Sequence, residues 1–276
     1  MKQTIAIQGS RGSFHEEAAR RHFGKDVRPE ECRDFRQLIN AVESQRADCG
    51  VMAIENSLVG SILKNLSMLR DSKLQVTGEV YMRISQNLMA LPGQSLNDLK
   101  EVQSHPMALL QSEQFFRKYP TIRLMESYDT AGSAREIARR KLKQTGAIGS
   151  IAAANMFGLT VLARGIETDQ DNFTRFLVVA PQPQIPEKNQ KAKASVAFTA
   201  LHKPGSLADI LNPLSEKGVN LTMLQSLPLP GKSWEYIFHM DMIFSDAEKA
   251  KDVIASFGSK LNNVWIMGIY PAAEIT

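Results

Sequence analysis

Over the first 180 residues the apolar positions keep two rhythms in turn. Thr4–Gln8, Cys49–Ile54, Glu101–Ser104, Ile122–Glu126 and Thr145–Gly149 are short runs with the length and apolar density of strands. Between them, Phe14–Phe23, Asp34–Ser44, Ser61–Leu69, Pro106–Lys118 and Ala131–Leu142 carry apolar stripes with the period of a helix packed on one face. Strands alternating with helices predict an α/β domain.

The stretch 74–91 breaks this rhythm. Leu74–Tyr81 and Ile84–Leu91 are two extended runs with no helix between them, which marks a crossing from one lobe to another. Lobe 1 is expected over about 1–75 and 160–180 and lobe 2 over about 80–155, with a cleft between them of the kind that takes small molecules. Residues 181–193 hold three prolines, no aromatic and one large apolar side chain, the composition of a linker. Residues 194–276 then suffice for a small domain. Its strands are expected at Ser195–Leu201, Asn220–Leu227, Trp234–Ile243 and Val264–Tyr270, with helices from Pro204 through Leu214 and from Asp246 to Phe257. The order is βαββαβ.

A chain of 276 residues with 43% hydrophobic content can bury a sizeable core. Its opening, Met1-Lys2-Gln3-Thr4-Ile5-Ala6-Ile7-Gln8, lacks the apolar run of an export signal, so a cytoplasmic location is expected. The apolar stretch Ala147–Ala163 is interrupted by Asn155, Gly149 and Gly158 and is expected as a buried strand and helix, not a membrane span. Cys32 and Cys49 are the only cysteines, and the five histidines have no metal-ligand spacing, so no metal site or disulfide framework is expected. A net charge of +4, with a dense basic run only at Arg135–Lys143, does not make a nucleic-acid footprint. Modest basicity does suit a small anionic substrate.

Candidate chemistry gathers where strands pass into helices. Ser10–Ser13, Asn56 with Ser57, Ser104, Asp129 with Thr130, and Ser150 all stand at such junctions. Each reads as a helix N-cap. Each can also face a shared crevice, where free backbone amides and the positive end of the helix dipole bind carboxylates. Ser104-His105-Pro106 reads as strand end, turn and helix start, with Gln111 two turns inside and His105 as a structural hydrogen-bonding group. Glu55 follows a buried strand and is expected to orient or to be held, since a bare acid would repel an anionic substrate. In Asp171-Asn172-Phe173-Thr174-Arg175-Phe176 a hydroxyl and a guanidinium stand just before the apolar strand Leu177–Ala180. Taken alone, Thr174 is equally a half-buried strand residue.

In chain order, the motifs Gly12-Ser13-Phe14, Ile54-Glu55-Asn56-Ser57 with Gly60, Ser104-His105-Pro106 with Gln111, Asp129-Thr130-Ala131 and Asn172-Phe173-Thr174-Arg175-Phe176 form a set. That set resembles the prephenate dehydratases over most of residues 4–180. The resemblance implies a two-lobed, periplasmic-binding-protein-like (type II) catalytic domain. It also implies an activity: loss of the ring hydroxyl and ring carboxylate of prephenate to give phenylpyruvate, water and carbon dioxide, with no metal or redox cofactor. The family's catalytic threonine falls on Thr174, with Arg175 beside it to grip a carboxylate or hold the motif in shape. Ser13, Glu55, Asn56, Ser104, Gln111 and Thr130 fall on the substrate-binding set, and Phe176 is counted there while completing the motif as a core residue. Met107 and Ser112 depart from the family's usual glutamine and cysteine.

The last domain resembles an ACT domain, a ferredoxin-like βαββαβ unit. In this family it is similar to a phenylalanine sensor, and the matching positions are Gly205, Leu207, Asn220 and Leu221. Here Gln225-Ser226-Leu227-Pro228 stands in place of the family's Glu-Ser-Arg-Pro, losing both charges, and Ser206 replaces the usual alanine. The expectation is a monofunctional prephenate dehydratase of phenylalanine biosynthesis, feedback-regulated by phenylalanine, with a homodimer or homotetramer expected by analogy. Arogenate dehydratase is the nearest alternative. A non-catalytic two-lobed sensor is the second, on an architecture that serves both uses.

Overall fold

Strand β1 (Thr4–Gln8) is the buried strand on which the first sheet grows in the computed structural model, which describes residues 2–200, 203–229, 231–232, 235–257 and 263–274. Its parallel neighbours are β2 (Arg28–Cys32) and β3 (Cys49–Asn56), reached through helices α1 (Phe14–Phe23) and α2 (Phe35–Glu43). Both helices begin at side-chain caps, Ser13 accepting from the amide of Glu16 and Asp34 from that of Gln37, which satisfies first-turn donors. The chain continues through β4 (Gly60–Ser61) and α3 (Leu63–Arg70) into β5 (Gln75–Arg83). β5 does not pair with β3. Between them lies β11 (Phe173–Ala180), antiparallel to both, so the order is β2-β1-β3-β11-β5, with β4 on β3.

The second sheet, in the order β10-β6-β9-β7-β8, is built from β6 (Asn87–Ala90), β7 (Glu101–Ser104), β8 (Arg123–Glu126), β9 (Thr145–Gly149) and β10 (Thr160–Ala163). Its helices are α4 (Pro106–Gln111), α5 (Glu113–Phe116), α6 (Thr130–Arg140) and α7 (Ile151–Phe157). Strand pairing draws the lobes differently from the sequence pattern. β5 stays with the first sheet as far as Arg83, and Thr160–Ala163, expected in lobe 1, pairs with β6 in lobe 2. The chain therefore crosses at 84–86 and returns at 164–172. The expected helix 106–118 is two, broken at the buried Ser112. β2, Arg-Pro-Glu-Glu-Cys, is an edge strand whose polarity hides it from an apolar pattern.

A third sheet, β13-β14-β12-β15, is antiparallel throughout and comprises β12 (Ala192–Thr199), β13 (Asn220–Pro228), β14 (Tyr236–Phe244) and β15 (Asn263–Pro271). With α8 (Ser206–Glu216) and α9 (Ala247–Ala255) it makes a βαββαβ unit, the helices covering one face around Val196, Phe198, Leu214, Met240 and Val253. Leu201 and Trp234, expected in strands, lie outside the described residues. The other face docks on the first lobe, where Met223, Met267 and Tyr270 join Leu66, Leu69, Val76, Leu177 and Val179 in one core cluster. Residues 181–191 carry no helix or strand, but β12 already begins at Ala192. Lys193, expected in the linker, is a buried strand residue whose Nζ lies 2.7 Å from Glu79 of β5.

At Gly268 the two backbones come so close that a Cβ would overlap the carbonyl oxygen of Val76 and lie 3.0 Å from its Cβ. Only glycine allows β15 to dock there. Gly268→Ala should cost about 1–3 kcal/mol, read as a lower urea midpoint. An unchanged midpoint would show that the two strands part without penalty.

Candidate active site

The cleft between the lobes encloses about 460 Å³ and is built on one face of β11 and β3. Alternation along β11 turns Thr174 and Phe176 to the cleft and Arg175 away from it. On β3, Phe176 pairs with Ala53 and Arg175 with Glu55, so Ile54 is one residue extra. That bulge resets the alternation. Ala53 and Asn56 therefore face the cleft together, while Glu55 follows Arg175 to the other side.

Asn56 organises the polar wall. Its Oδ1 accepts from the amides of Leu58 and Val59 at 3.1 Å each, which fixes the orientation of the side-chain amide. Its Nδ2 then donates toward Thr174 Oγ1 (2.9 Å), Asn172 Oδ1 (2.7 Å) and the Phe173 carbonyl (3.1 Å). Because Thr174 Oγ1 accepts here, its own proton is free to point at whatever occupies the cleft. Asn172 passes the chain on to Gln111 Oε1 at 3.2 Å, where Gln86 also donates at 3.1 Å.

Two long helices present their N-termini to the cleft. Ser13 caps α1 and lines the cavity, as does Thr130 in the first turn of α6, below the Asp129 cap. The same turns hold the lobes together. Asp129 accepts from Ser10 N at 2.8 Å, Ser150 donates to the Gly12 carbonyl at 2.5 Å, and Arg135 pairs with Glu31 at 2.8 Å. Gly12, with φ of +83°, lies so close to α7 that a Cβ would sit 2.9 Å from Ala153 Cα. No lysine or arginine is among the described residues that line the cavity. Free amide N–H groups and helix dipoles are what it offers an anion.

The cavity also has aromatic lining from Phe14, Phe35, Phe176 and His15. The His15 ring lies 5.5 Å from that of Phe35 and 5.1 Å from that of Phe176, and its buried Nε2 has no hydrogen-bond partner among the described residues. Burial lowers its pKa to about 4, so the imidazole is neutral in the free cleft.

Of the residues expected from the sequence, Ser13, Asn56, Gln111, Thr130, Thr174 and Phe176 come together here. Three do not. Ser104 is fully buried, its hydroxyl donating to the Ile148 carbonyl at 2.8 Å and tying β7 to β9. Glu55 lies 3.9 Å from Arg175 on the far face. Arg175 itself engages Glu79 and Asp241 there, so it is no carboxylate clamp in the cleft. His105 does line the cavity, and its Nδ1 accepts from Met107 N as the α4 cap. Sequence reasoning missed His15, although it directly follows the Gly-Ser-Phe motif; nothing in the sequence singled out Gln86.

In the third domain a hollow of about 400 Å³ is lined by Lys203, Pro204, Ser206, Leu207, Tyr236 and Phe238. Gly205 turns the chain into α8 beside it with φ of +85°. Asn220 and Leu221 open β13, paired with Ile243 and Met242, and do not line this hollow.

Titration of the His15 ring by proton NMR should give a midpoint near 4 in the free protein, and one near 6.5 would mean that water reaches the ring.

A match to the prephenate dehydratase family runs over residues 5–184, the two lobes and the first residues beyond them. Arogenate dehydratase 2 of Petunia hybrida is 36% identical over 97% of this chain and 71% of its own length. Prephenate dehydratase from Arthrobacter aurescens, solved in complex with L-Phe, superposes with a TM-score of 0.88 at 26% identity, covering 99% of this chain and 91% of that one. GqqA, described as a novel type of quorum quenching acylase, also reaches 0.88, at 29% identity over 98% of both chains. The motifs that meet in the cleft and the extent of these matches lead to one conclusion: the chain belongs to the prephenate dehydratase family and is a dehydratase, a carbon–oxygen lyase.

Proposed function

We propose that the protein converts prephenate to phenylpyruvate in phenylalanine biosynthesis. The observation that carries this reading is the bond from Asn56 to Thr174, which leaves the threonine proton free to point into the cleft. The dianion takes up one proton and yields phenylpyruvate, carbon dioxide and water. Thr174 donates a hydrogen bond to the departing hydroxyl and lowers the cost of its leaving. A threonine hydroxyl is too weak an acid to be the whole proton source, so delivery is shared with water. The two carboxylates lie against the amide ends of α1 and α6. Phe14, Phe35 and Phe176 wall the ring, and the ring carboxylate leaves from a poorly solvated setting as the ring aromatises.

Arogenate, which carries an amine where prephenate has a keto group, is the second reading, supported by the name of the Petunia hybrida relative. Amide hydrolysis, as the name of the acylase neighbour suggests, is less well supported. It needs a base on the Thr174 oxygen, and that oxygen accepts from a donor instead.

The third domain is read as a ferredoxin-like ACT unit whose effector is phenylalanine. The hollow beside Gly205 and Leu207 supports this, as does the L-Phe complex of the Arthrobacter aurescens enzyme. Asn220 and Leu221 belong to the same proposal as positions supplied across a subunit interface. Val264 and Ile266, exposed on the edge strand β15, suit a homodimer or homotetramer. No helix among the described residues is long and apolar enough to cross a membrane; a cytoplasmic site of action is part of the same proposal.

Purified protein mixed with prephenate should form phenylpyruvate without added metal or nucleotide. Product from arogenate alone would transfer the reading to that substrate, and silence with both would overturn it. Thr174→Ala should lower kcat roughly 100-fold or more while leaving the circular dichroism spectrum unchanged, and near-normal turnover would remove Thr174 from its role.

Isothermal titration should detect L-phenylalanine binding together with reduced turnover. The absence of both would mean that Gln225 and Leu227 mark a lost effector site.

A further inference from the structure

Arg175 stands next to Thr174 and is held from two domains at once. Its Nη1 lies 2.5 Å from Asp241 of β14 and its Nη2 3.1 Å from the hydroxyl of Tyr270 of β15. Toward its own lobe, Nε lies 2.8 Å from Glu79 and Nη1 also 3.9 Å from Glu55. Glu79 is shared in turn with Lys193 at 2.7 Å and with the amide of Ala273 at 3.1 Å, and the hydroxyls of Tyr270 and Ser195 are hydrogen-bonded at 2.7 Å. Two cations and two anions are thus buried together against the back of the strand whose front carries Thr174.

The ladder between β11 and β3 slips between Arg175 and Phe176, where Ile54 bulges. The ladder with β5 runs unbroken over Phe173–Val178, so one of the two ladders that hold Thr174 is weakened beside it. The anchor on the other face supplies constraint on the side where the bulge removes it. We infer that Arg175 is a positioning residue for the dehydration, and that Asp241 and Tyr270 make the C-terminal domain a working part of the active site. This rests on the dehydratase reading given above.

The network also has slack on the C-terminal side. Among the described residues Asp241 Oδ1 is buried without a partner, as are both ring nitrogens of His239 two residues earlier on the same face of β14. Buried polar groups are normally bonded, and those that are not can take new partners when the sheet shifts. A movement of β14 therefore changes the grip on Arg175 before it changes anything in the cleft.

The test uses the full-length protein with whichever substrate the wild type turns over. Asp241→Asn keeps the volume but removes the charge, and should lower kcat roughly 10- to 100-fold with KM within about threefold, since the substrate-binding amides are untouched. Arg175→Lys should retain more turnover than Arg175→Met, because a cation remains for Asp241 and Glu79. Should Asp241→Asn lose its fold, Tyr270→Phe removes one hydroxyl from the same grip and should still lower kcat severalfold at unchanged KM. An active wild type with normal kcat in Asp241→Asn or in a folded Tyr270→Phe would overturn the positioning role alone, as would a rise in KM at constant kcat. A wild type inert on prephenate and arogenate would overturn the dehydratase reading and the inference together.

Discussion

A single strand, β11, has to satisfy two surroundings at once. Its period of two sends Thr174, Phe176 and Val178 toward α1 and the cleft, and Arg175, Leu177 and Val179 toward the helices and sheet on the other side. The first lobe, the cleft and the C-terminal domain all meet on those six side chains. A register slip of one residue would exchange a hydroxyl for a guanidinium in the cleft and bury the hydroxyl among carboxylates.

Charge balance is what allows the rear face to be buried. An isolated buried ion costs several kcal/mol, and pairing offsets that cost only where geometry is good and the remaining valences are bonded. Arg175 and Lys193 against Glu79 and Asp241 meet the first condition, with Tyr81 placed 5.3 Å from Lys193 Nζ and 5.7 Å from the Arg175 guanidinium. The second condition is met less fully, since Asp241 Oδ1 has no partner among the described residues. The contribution of this cluster is therefore more to the alignment of the two domains than to their stability. Apolar contact supplies the stability, through Met223, Met267 and Tyr270 against Leu66, Leu69 and Val76.

Much of this was legible in the sequence because local rules governed it. Ser13, Asp129 and Ser150 are caps as their positions between strand and helix imply, and the amide ends of α1 and α6 converge on one cavity. What was illegible depended on the third dimension. Ser104 has the same setting as the other junction residues, but its hydroxyl turns inward to Ile148. Lys193 looks like linker by composition, and only its partner Glu79, 114 positions away, explains its burial. Glu55 and Asn56 are adjacent, and which of them reaches the cleft is decided by the bulge at Ile54, for which an apolar residue in a strand gives no signal. β2 escaped because an edge strand needs little apolar surface.

The place of β11 in its sheet also has a consequence in time. It is hydrogen-bonded between β3 and β5, yet more than a hundred residues separate Asn56 from Thr174, and the whole second lobe is made in between. A chain leaving the ribosome therefore has a first lobe with a vacant slot at its middle and two open strand edges until residue 180 emerges. The second lobe, continuous in sequence, can fold before that. Of the two lobes the cleft is assembled last, by the one strand that closes the gap, and a chain that stops short of that strand has neither the hydroxyl nor the sheet that would hold it.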